Sequence, residues 1–247
     1  MKTAADFMVE FPALGSDDRI TKARQILREN VYREVYVHDG KRKLLGYIDI
    51  TDVLRVTATK SDVTIDGFLK EITPVLPGDS MGTVLATIKK NKTDSVPVVD
   101  EHSFLLGGVL LSELFPVVIT MQRLHGFVCD SMTRDVVTCS AGDTIQRIHT
   151  LIIDSGYSAF PVIKKKKVVG MISRRDLLKD GRWRGSSETA TTVDSLMTTP
   201  VMTAGPGDEV RTAADIMVKH DISRLPVMEN DQIIGIIDRH DILNCLT

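Results

Sequence analysis

The side chains of this 247-residue chain that could do chemistry recur as a polar residue followed three positions later by an acid. Ser173 with Asp176 is the clearest copy, and Asp238 with Asp241 is another. Each pair follows a short apolar run that contains a glycine, which is typical of a strand that leads into a helix. At this spacing the two side chains can cap a helix N-terminus by bonding its unsatisfied backbone N–H groups. The same groups can also hold a ligand, so a structural and a binding interpretation both stay open.

Histidine and cysteine form no recognisable catalytic or metal-binding pattern. Three His-Asp dipeptides could suggest a metal phosphohydrolase, but each falls at a turn or helix end of a different part of the chain: His38-Asp39, His220-Asp221 and His240-Asp241. The three cysteines are widely spaced and odd in number, which argues for a reducing compartment and against a disulfide framework or a zinc site. No nucleophile–base pair stands at a recognisable spacing. We therefore expect a protein that is not an enzyme.

Four glycines mark an internal repeat of about 61 to 65 residues: Gly46, Gly107, Gly170 and Gly235. Each glycine lies in a strand-like run that is preceded by a second such run and followed by a helix start. The period predicts four repeats, at residues 1–60, 61–124, 125–184 and 185–247.

Each repeat has the pattern β-α-β-β-α. Apolar residues at helical spacing predict its first helix, at about 18–30, 79–90, 143–154 and 208–220. A unit of about 60 residues buries too little apolar surface to be stable alone. We therefore expect an α/β fold in which the four units form two pseudo-twofold pairs. The Gly- and Ser-rich residues 181–192 are expected to be a linker, and residues 115–127 are expected to continue the closing helix of the second repeat.

The composition predicts a soluble protein of the cytoplasm. Hydrophobic residues make up 43% of the chain and charged residues 26%, which is ordinary for a globular protein. The net charge of −2 gives no reason to expect nucleic acid as the main partner. No apolar run approaches the roughly 20 residues that span a bilayer. The N-terminus carries Asp6 and Glu10 in place of a basic, apolar signal segment.

The repeats resemble the cystathionine-β-synthase (CBS) domain family, whose members occur as tandem pairs called Bateman modules. The third repeat shows the three parts of the family pattern: Met132-Thr133 with Val136, Ser158-Ala159-Phe160-Pro161-Val162, and Gly170-Met171-Ile172-Ser173-Arg174-Arg175-Asp176. The resemblance covers essentially the whole chain. A chain of four such repeats without a catalytic domain is similar to the γ subunits of AMP-activated kinase and to stand-alone prokaryotic CBS proteins.

The resemblance implies a regulatory ligand of the adenosine class, namely AMP, ADP, ATP or S-adenosylmethionine. In the third repeat it implies that Asp176 accepts the ribose hydroxyls, and that Ser173 donates to a phosphate at the helix N-terminus. The candidate binding residues of that repeat are Thr133, Val137, Tyr157, Ser158, Ala159, Ser173, Arg175 and Asp176. Those of the fourth repeat are Thr198, Met202, Ile222, Arg224, Asp238 and Asp241. No metal ligand is expected.

Three repeats depart from the family pattern. Asp238 replaces the usual Ser or Thr, so two carboxylates share one helix start, which suits a ribose but opposes a bare phosphate. The first repeat makes the same exchange at Asp49 and has Tyr36 in place of the proline. The second repeat has Leu110 in place of the hydroxyl residue. We therefore expect the third repeat to bind best, the fourth to bind a nucleoside-type ligand or a metal-masked phosphate, and the first two to be mainly structural.

Taken together, these features predict an adenosine-derivative-binding regulatory or energy-sensing module, acting on an unidentified partner protein and forming a homodimer. The alternatives are a ligand-silent scaffold or dimerisation module, and an S-adenosylmethionine sensor. The lysine run from Lys164 to Lys167 is expected to be a solvated hairpin tip. Trp183, in the linker, is expected to be either an anchor for a partner or an exposed aromatic residue without a role.

Overall fold

The structure, a computed structural model, describes residues 2–29, 31–58, 60–184 and 191–246. These residues form two compact units. The first holds residues 2–114 with 183–184, and the second holds residues 115–182 with 191–246. Of the expected linker, residues 185–190 lie outside the described residues.

The first unit contains the first two repeats. Its helices and strands are β1 (Ala13–Gly15), α1 (Ile20–Glu29), β2 (Glu34–His38), β3 (Leu44–Asp49), α2 (Ile50–Arg55), α3 (Met81–Asn91), β4 (Ser95–Val99), β5 (Leu105–Leu110) and the first turn of α4 (Leu111–Met121). β1 runs parallel to β2, and the pairs β2–β3 and β4–β5 are antiparallel hairpins.

The second unit contains the last two repeats. After the remainder of α4 come α5 (Val128–Ser131), β6 (Cys139–Ser140), α6 (Ile145–Ser155), β7 (Ala159–Lys164), β8 (Lys167–Ser173), α7 (Arg174–Asp180), α8 (Val210–Lys219), β9 (Arg224–Glu229), β10 (Gln232–Asp238) and α9 (Arg239–Leu243). β6 is parallel to β7, while β7–β8 and β9–β10 are antiparallel hairpins. Small mixed sheets alternating with helices confirm the predicted α/β class.

The first helix of each repeat begins two residues later than its predicted start, at positions 20, 81, 145 and 210. An aspartate two residues before each helix explains the offset, because its carboxylate accepts a hydrogen bond from the backbone N–H three positions earlier. These bonds are Gly15 N to Asp18, 3.0 Å; Leu76 N to Asp79, 2.7 Å; Ser140 N to Asp143, 2.8 Å; and Gly205 N to Asp208, 2.7 Å. All four repeats therefore enter this helix through the same aspartate turn.

The repeats pair by crossing their opening segments over each other's strands. In the second unit, Thr133 forms two backbone hydrogen bonds with Ile236 of β10, at 2.8 and 2.9 Å. Thr198 does the same with Met171 of β8, at 2.8 and 3.1 Å. In the first unit, Val9 pairs with Gly108 and Lys70 pairs with Tyr47 in the same way. Each unit is therefore a pseudo-twofold pair of repeats, as predicted.

The glycines of the repeat pattern allow this crossing. A Cβ atom on Gly235 would lie 2.3 Å from the Met132 sulfur, and one on Gly170 would lie 2.7 Å from the Met197 sulfur. Real Cβ atoms do not approach other atoms so closely, so a side chain at either position would push the crossing segment away. The glycine period that revealed the repeats thus records a close approach between paired repeats.

The leading segments of the second and fourth repeats pair with the following hairpin at one position each. Val75 makes a parallel bridge with Val98, and Ala204 makes one with Val227. In the first and third repeats the corresponding strands, β1 and β6, pair at three and two positions.

Trp183 is buried, which contradicts the expectation of an exposed linker residue. It lies in a short 3-10 helix at Arg182–Arg184, and it is only 3% exposed. The guanidinium of Arg24 lies 5.7 Å from the centre of its ring, close enough for a cation–π interaction. Trp183 is therefore a buried residue of the first unit, and not an exposed linker residue available to a partner.

The closing helix of the second repeat is shorter than predicted, and the lysine run forms the predicted hairpin tip. The helix expected to continue through residues 115–127 ends at Met121. Lys165 and Lys166 form the exposed tip of the β7–β8 hairpin with positive φ angles of 51° and 65°, as expected for a tight hairpin turn. Among the described residues, no helix is both long enough and apolar enough to cross a membrane.

Candidate ligand-binding cavity

A cavity of about 150 Å³ lies within the second unit, between the third and fourth repeats. The third repeat contributes its opening segment and the start of β7, through Thr133, Asp135, Val136, Val137, Tyr157, Ala159 and Pro161. The fourth repeat contributes the β9–β10 hairpin and the start of α9, through Arg224, Ile236, Asp238 and Asp241. The cavity exists because the opening segment of one repeat crosses the strand of the other.

One side of the cavity is apolar. Val136, Val137, Ala159, Pro161 and Ile236 line it with side chains that carry no charge. Buried apolar cavities of about 150 Å³ accept a flat ring the size of benzene. This side could therefore hold the ring of a base while the rest of a ligand extends toward the mouth.

Tyr157 stands at the edge of the apolar side and is 48% exposed. Its ring makes an edge contact with Phe160, with 6.4 Å between the ring centres. An aromatic side chain in this position could cover a bound ring while it keeps its contact with Phe160.

A pair of carboxylates at the start of α9 also lines the cavity. Asp238 caps the helix, because its Oδ1 accepts hydrogen bonds from the N–H groups of His240 at 2.9 Å and Asp241 at 3.1 Å. The carboxylate of Asp241 in turn accepts a hydrogen bond from the N–H of Asp238 at 2.9 Å. Each carboxylate keeps a second oxygen outside these bonds, so the capping interpretation and the binding interpretation are compatible here.

The electrostatics of this pair are unusual for aspartate. Burial and the neighbouring charge of Asp238 raise the pKa of Asp241 to about 6, and Arg224 only partly opposes the shift. Arg224 is the antiparallel partner of Asp238 across the β9–β10 hairpin. A perturbed carboxylate beside a cavity is a common property of functional sites.

Ser173 and Asp176 do not line this cavity. The Ser173 hydroxyl donates to Asp176 Oδ2 at 2.6 Å and accepts from the Asp176 N–H at 3.3 Å, so the two form the capping box of α7. They lie at the start of α7, directly after β8, and β8 pairs with Thr198 of the fourth repeat through Met171. The predicted residues of the third repeat thus divide between two places.

The remaining predicted residues also lie outside the cavity lining. Ser158 accepts a backbone hydrogen bond from Arg174 N at 2.9 Å, and Ile222 donates one to Met217 at 3.0 Å. Arg175 is half-buried in α7, and Thr198 and Met202 belong to the opening segment of the fourth repeat. The predicted binding residues outside this cavity stay predictions: Ser158, Ser173, Arg175, Asp176, Thr198, Met202 and Ile222.

Four residues that line the cavity were missing from the candidate list. They are Asp135, Val136, Pro161 and Ile236. Val136 and Pro161 belong to the family pattern itself, so the sequence contained a signal for them. Asp135 and Ile236 had none, because only the crossing of the paired repeats brings them together.

The corresponding place in the first unit is filled by the chain itself. Tyr36, which stands where the other repeats have proline, is fully buried and stacks on Phe11 with 4.2 Å between ring centres. Its hydroxyl donates to Ser95 at 2.9 Å, and the Ser95 hydroxyl donates to Glu34 at 2.9 Å. In the first unit a large buried aromatic side chain thus stands at the position where the cavity lining of the second unit has Pro161.

The acidic pair of the first repeat, Asp49 and Asp52, forms ion pairs with a lysine side chain. Lys70 Nζ lies 2.6 Å from Asp52 and 3.3 Å from Asp49. Burial raises the pKa of Asp52 as well, with the charge of Asp49 adding to the shift. Lys70 pairs with Tyr47 as Thr133 pairs with Ile236, so the lysine and the threonine are at equivalent positions.

The described residues contain no group of three or more His, Cys, Asp or Glu side chains that could hold a metal ion. The cavity lining combines apolar side chains with the hydrogen-bond acceptors of Asp238 and Asp241. It can bind a molecule that has a flat ring and neighbouring hydroxyl groups.

Relatives of the chain share both its sequence and its fold. Protein MJ1225 of Methanocaldococcus jannaschii is 26% identical over 255 residues, which cover 91% of each chain. Its crystal structure, described for a proposed archaeal homologue of γ-AMPK, matches with a TM-score of 0.83 over 98% of this chain and 99% of that one, at 20% identity. A conserved protein from Pyrococcus horikoshii matches with a TM-score of 0.66 over the same shares, also at 20% identity.

The CBS domain-containing protein YhcV of Bacillus subtilis is 30% identical over 115 residues, which cover 47% of this chain and 81% of that protein. The family model of the CBS domain matches residues 4–58, 125–181 and 193–247. These ranges are the first, third and fourth repeats, and the second repeat shares their order of elements and their aspartate turn. The chain therefore belongs to the CBS domain family.

Proposed function

We propose that this protein is a regulatory module that binds an adenosine derivative in the cavity of its second unit. One observation carries the proposal: apolar side chains and a pair of half-buried carboxylates line one cavity between two paired repeats. The first unit supports the interpretation by contrast, because its equivalent space is filled by Tyr36 and Phe11.

In the proposed complex the base lies against Val137 and Ala159, and the edge of Tyr157 covers it. The two ribose hydroxyls donate hydrogen bonds to the outward oxygens of Asp238 and Asp241. Hydrogen bonds to a charged acceptor are stronger than those between neutral groups, which suits a carboxylate pair to hold a sugar. The residues act by binding alone, so the proposal includes no catalytic step.

Regulation follows from the way in which the cavity is built. A ligand that touches both the third and the fourth repeat favours the arrangement of the two repeats that fits it best. A partner protein that contacts the module, or a second copy of this chain, can detect that change. The comparisons agree with this proposal, since protein MJ1225 is itself a proposed homologue of γ-AMPK.

The first test is to identify the ligand. Mass spectrometry of small molecules released from the purified protein should find an adenosine derivative. Thermal-shift titrations with adenosine, AMP, ATP and S-adenosylmethionine should show a rise in melting temperature with at least one of them, because a ligand that binds only the native state must stabilise it.

Asp241→Ala should weaken this binding at least tenfold, or about 1.4 kcal/mol, because it removes one of the two ribose acceptors. Asp154→Ala is the matched control, since Asp154 is exposed on α6. If no adenosine compound shifts the melting temperature, or if Asp241→Ala binds as the parent does, the proposal is wrong.

The second candidate is a binding-silent scaffold, and the filled space of the first unit favours it for that unit. Phe11, Tyr36, Val99, Leu105 and Leu110 form a continuous apolar cluster there. A repeat pair that fills its own slot keeps the fold without a ligand. The thermal-shift experiment separates the two candidates for the molecule as a whole.

A further inference from the structure

The cavity lining carries more negative than positive charge. Three of its residues are acidic, Asp135, Asp238 and Asp241, and one is basic, Arg224. Arg224 is already the cross-strand neighbour of Asp238. A ligand that brings its own phosphate would therefore add negative charge to a half-buried acidic pair.

In the first unit, the corresponding pair of carboxylates forms ion pairs with a lysine. There the equivalent carboxylates, Asp49 and Asp52, are bridged by the ammonium group of Lys70. In the second unit the equivalent position is Thr133, which brings no charge. The acidic pair at the cavity thus has a threonine where the pair in the first unit has a lysine.

We propose that the cavity selects adenosine derivatives whose 5′ substituent is neutral or positively charged, and discriminates against 5′-phosphates. This inference rests on the proposed function and names the class of ligand for that same site. The carboxylate pair that holds the ribose would attract a cationic 5′ group, as the pair in the first unit attracts Lys70.

Physical chemistry gives the direction of the discrimination. Like charges held within a few ångströms repel more strongly in a half-buried site than in water, because the effective dielectric constant is lower there. A cation at the same place is attracted for the same reason. The sugar and the base contribute equally for all such ligands, so the difference in affinity reports the charge at the 5′ position.

The test uses three probes that share one nucleoside: 5′-amino-5′-deoxyadenosine, whose amine is positively charged at neutral pH, adenosine, and AMP. Isothermal titration at pH 7.5 and fixed ionic strength should give affinities in that order. We expect AMP to bind at least tenfold more weakly than adenosine, which corresponds to about 1.4 kcal/mol.

Asp238→Ser makes the test specific. Serine is also a good helix cap, and Ser173 performs this role at the equivalent position of α7, so the variant should fold. The substitution removes a ribose acceptor for every probe alike, so it should lower the affinity for adenosine, while the ratio of the AMP affinity to the adenosine affinity should rise about tenfold. Asp154→Ser, which removes the same charge from the exposed face of α6, should change neither affinity.

The outcomes separate the two proposals. If none of the three probes binds, the proposed function is wrong. If AMP binds as tightly as adenosine or more tightly, or if Asp238→Ser leaves the ratio of the two affinities unchanged, the charge selection is wrong while adenosine binding stands.

Discussion

Asp241 combines a structural task with an electrostatic cost. Its carboxylate completes the cap of α9, but burial and the charge of Asp238 raise its pKa to about 6. An asparagine would complete the cap without the charge. A charged group that a protein keeps at a cost in stability is characteristic of a binding site.

The raised pKa predicts a gain in stability for Asp241→Asn at neutral pH. The unfolded carboxyl group titrates near pH 4 and the folded one near pH 6, so wild-type stability is lost as the pH rises from 4 to 6. The amide cannot ionise and keeps an oxygen to accept from Asp238 N. We therefore expect the variant to be more stable than the parent at pH 7, with the difference shrinking toward pH 4.

Urea unfolding at pH 7 and pH 4.5 measures this difference. Asp154→Asn serves as the control at an exposed position and should show no such dependence on pH. A variant that is less stable than the parent at pH 7 would show that the carboxylate is held by favourable contacts instead.

At the scale of elements, the strands and the opening segments depend on each other. β8 and β10 each contain a glycine at the point where the opening segment of the paired repeat crosses, with Met197 over Gly170 and Met132 over Gly235. The segment that follows Met132 forms one wall of the cavity. The packing of a strand and the shape of the candidate site are therefore linked.

Gly235→Ala should both destabilise the second unit and weaken ligand binding. The added Cβ would lie 2.3 Å from the Met132 sulfur and 3.2 Å from the backbone oxygen of Thr133, a residue that lines the cavity. Overpacking of this kind costs about 1–3 kcal/mol. Thermal unfolding and adenosine titration measure the two effects.

Gly207→Ala is the matched control, because a Cβ there would meet nothing within 4 Å. It should leave the melting temperature and the affinity close to those of the parent. If Gly235→Ala behaves like the control, then the crossing segment is free to move and the cavity is not fixed by it.

At the scale of the whole molecule, the two units use one architecture in different ways. In the first unit, Tyr36 and Phe11 stack at the place that corresponds to the slot of the third repeat, and Lys70 neutralises the acidic pair at the start of α2. The second leaves both the slot and the acidic pair accessible from its cavity. Only the second unit is expected to respond directly to a ligand.

Hydrogen exchange measured by mass spectrometry should therefore show unequal protection. Saturating adenosine should slow the exchange of amides at residues 133–137 and 236–241, because the ligand stabilises the segments that it touches. Residues 9–13 and 34–38 of the first unit should exchange at unchanged rates. Equal protection in both sets would contradict a site confined to the second unit.

The sequence by itself determined the four repeats, their order of elements, their pairing and the helix caps. An aspartate turn or a Ser-x-x-Asp cap depends on a few neighbouring residues, and the repeats are visible because one short pattern recurs along the chain. Local rules failed at Trp183, which is 3% exposed and lies beside Arg24, more than 150 positions away in the sequence.

Only the tertiary structure decided which residues share a site. The sequence grouped Val137 and Ala159 with Asp176 of their own repeat, whereas the structure places them beside Asp238 and Asp241 of the next. The physical reason is the crossing of the opening segments, which joins residues about 100 positions apart by backbone hydrogen bonds. Local patterns specify each repeat, but the cavity exists only because two repeats fold against each other.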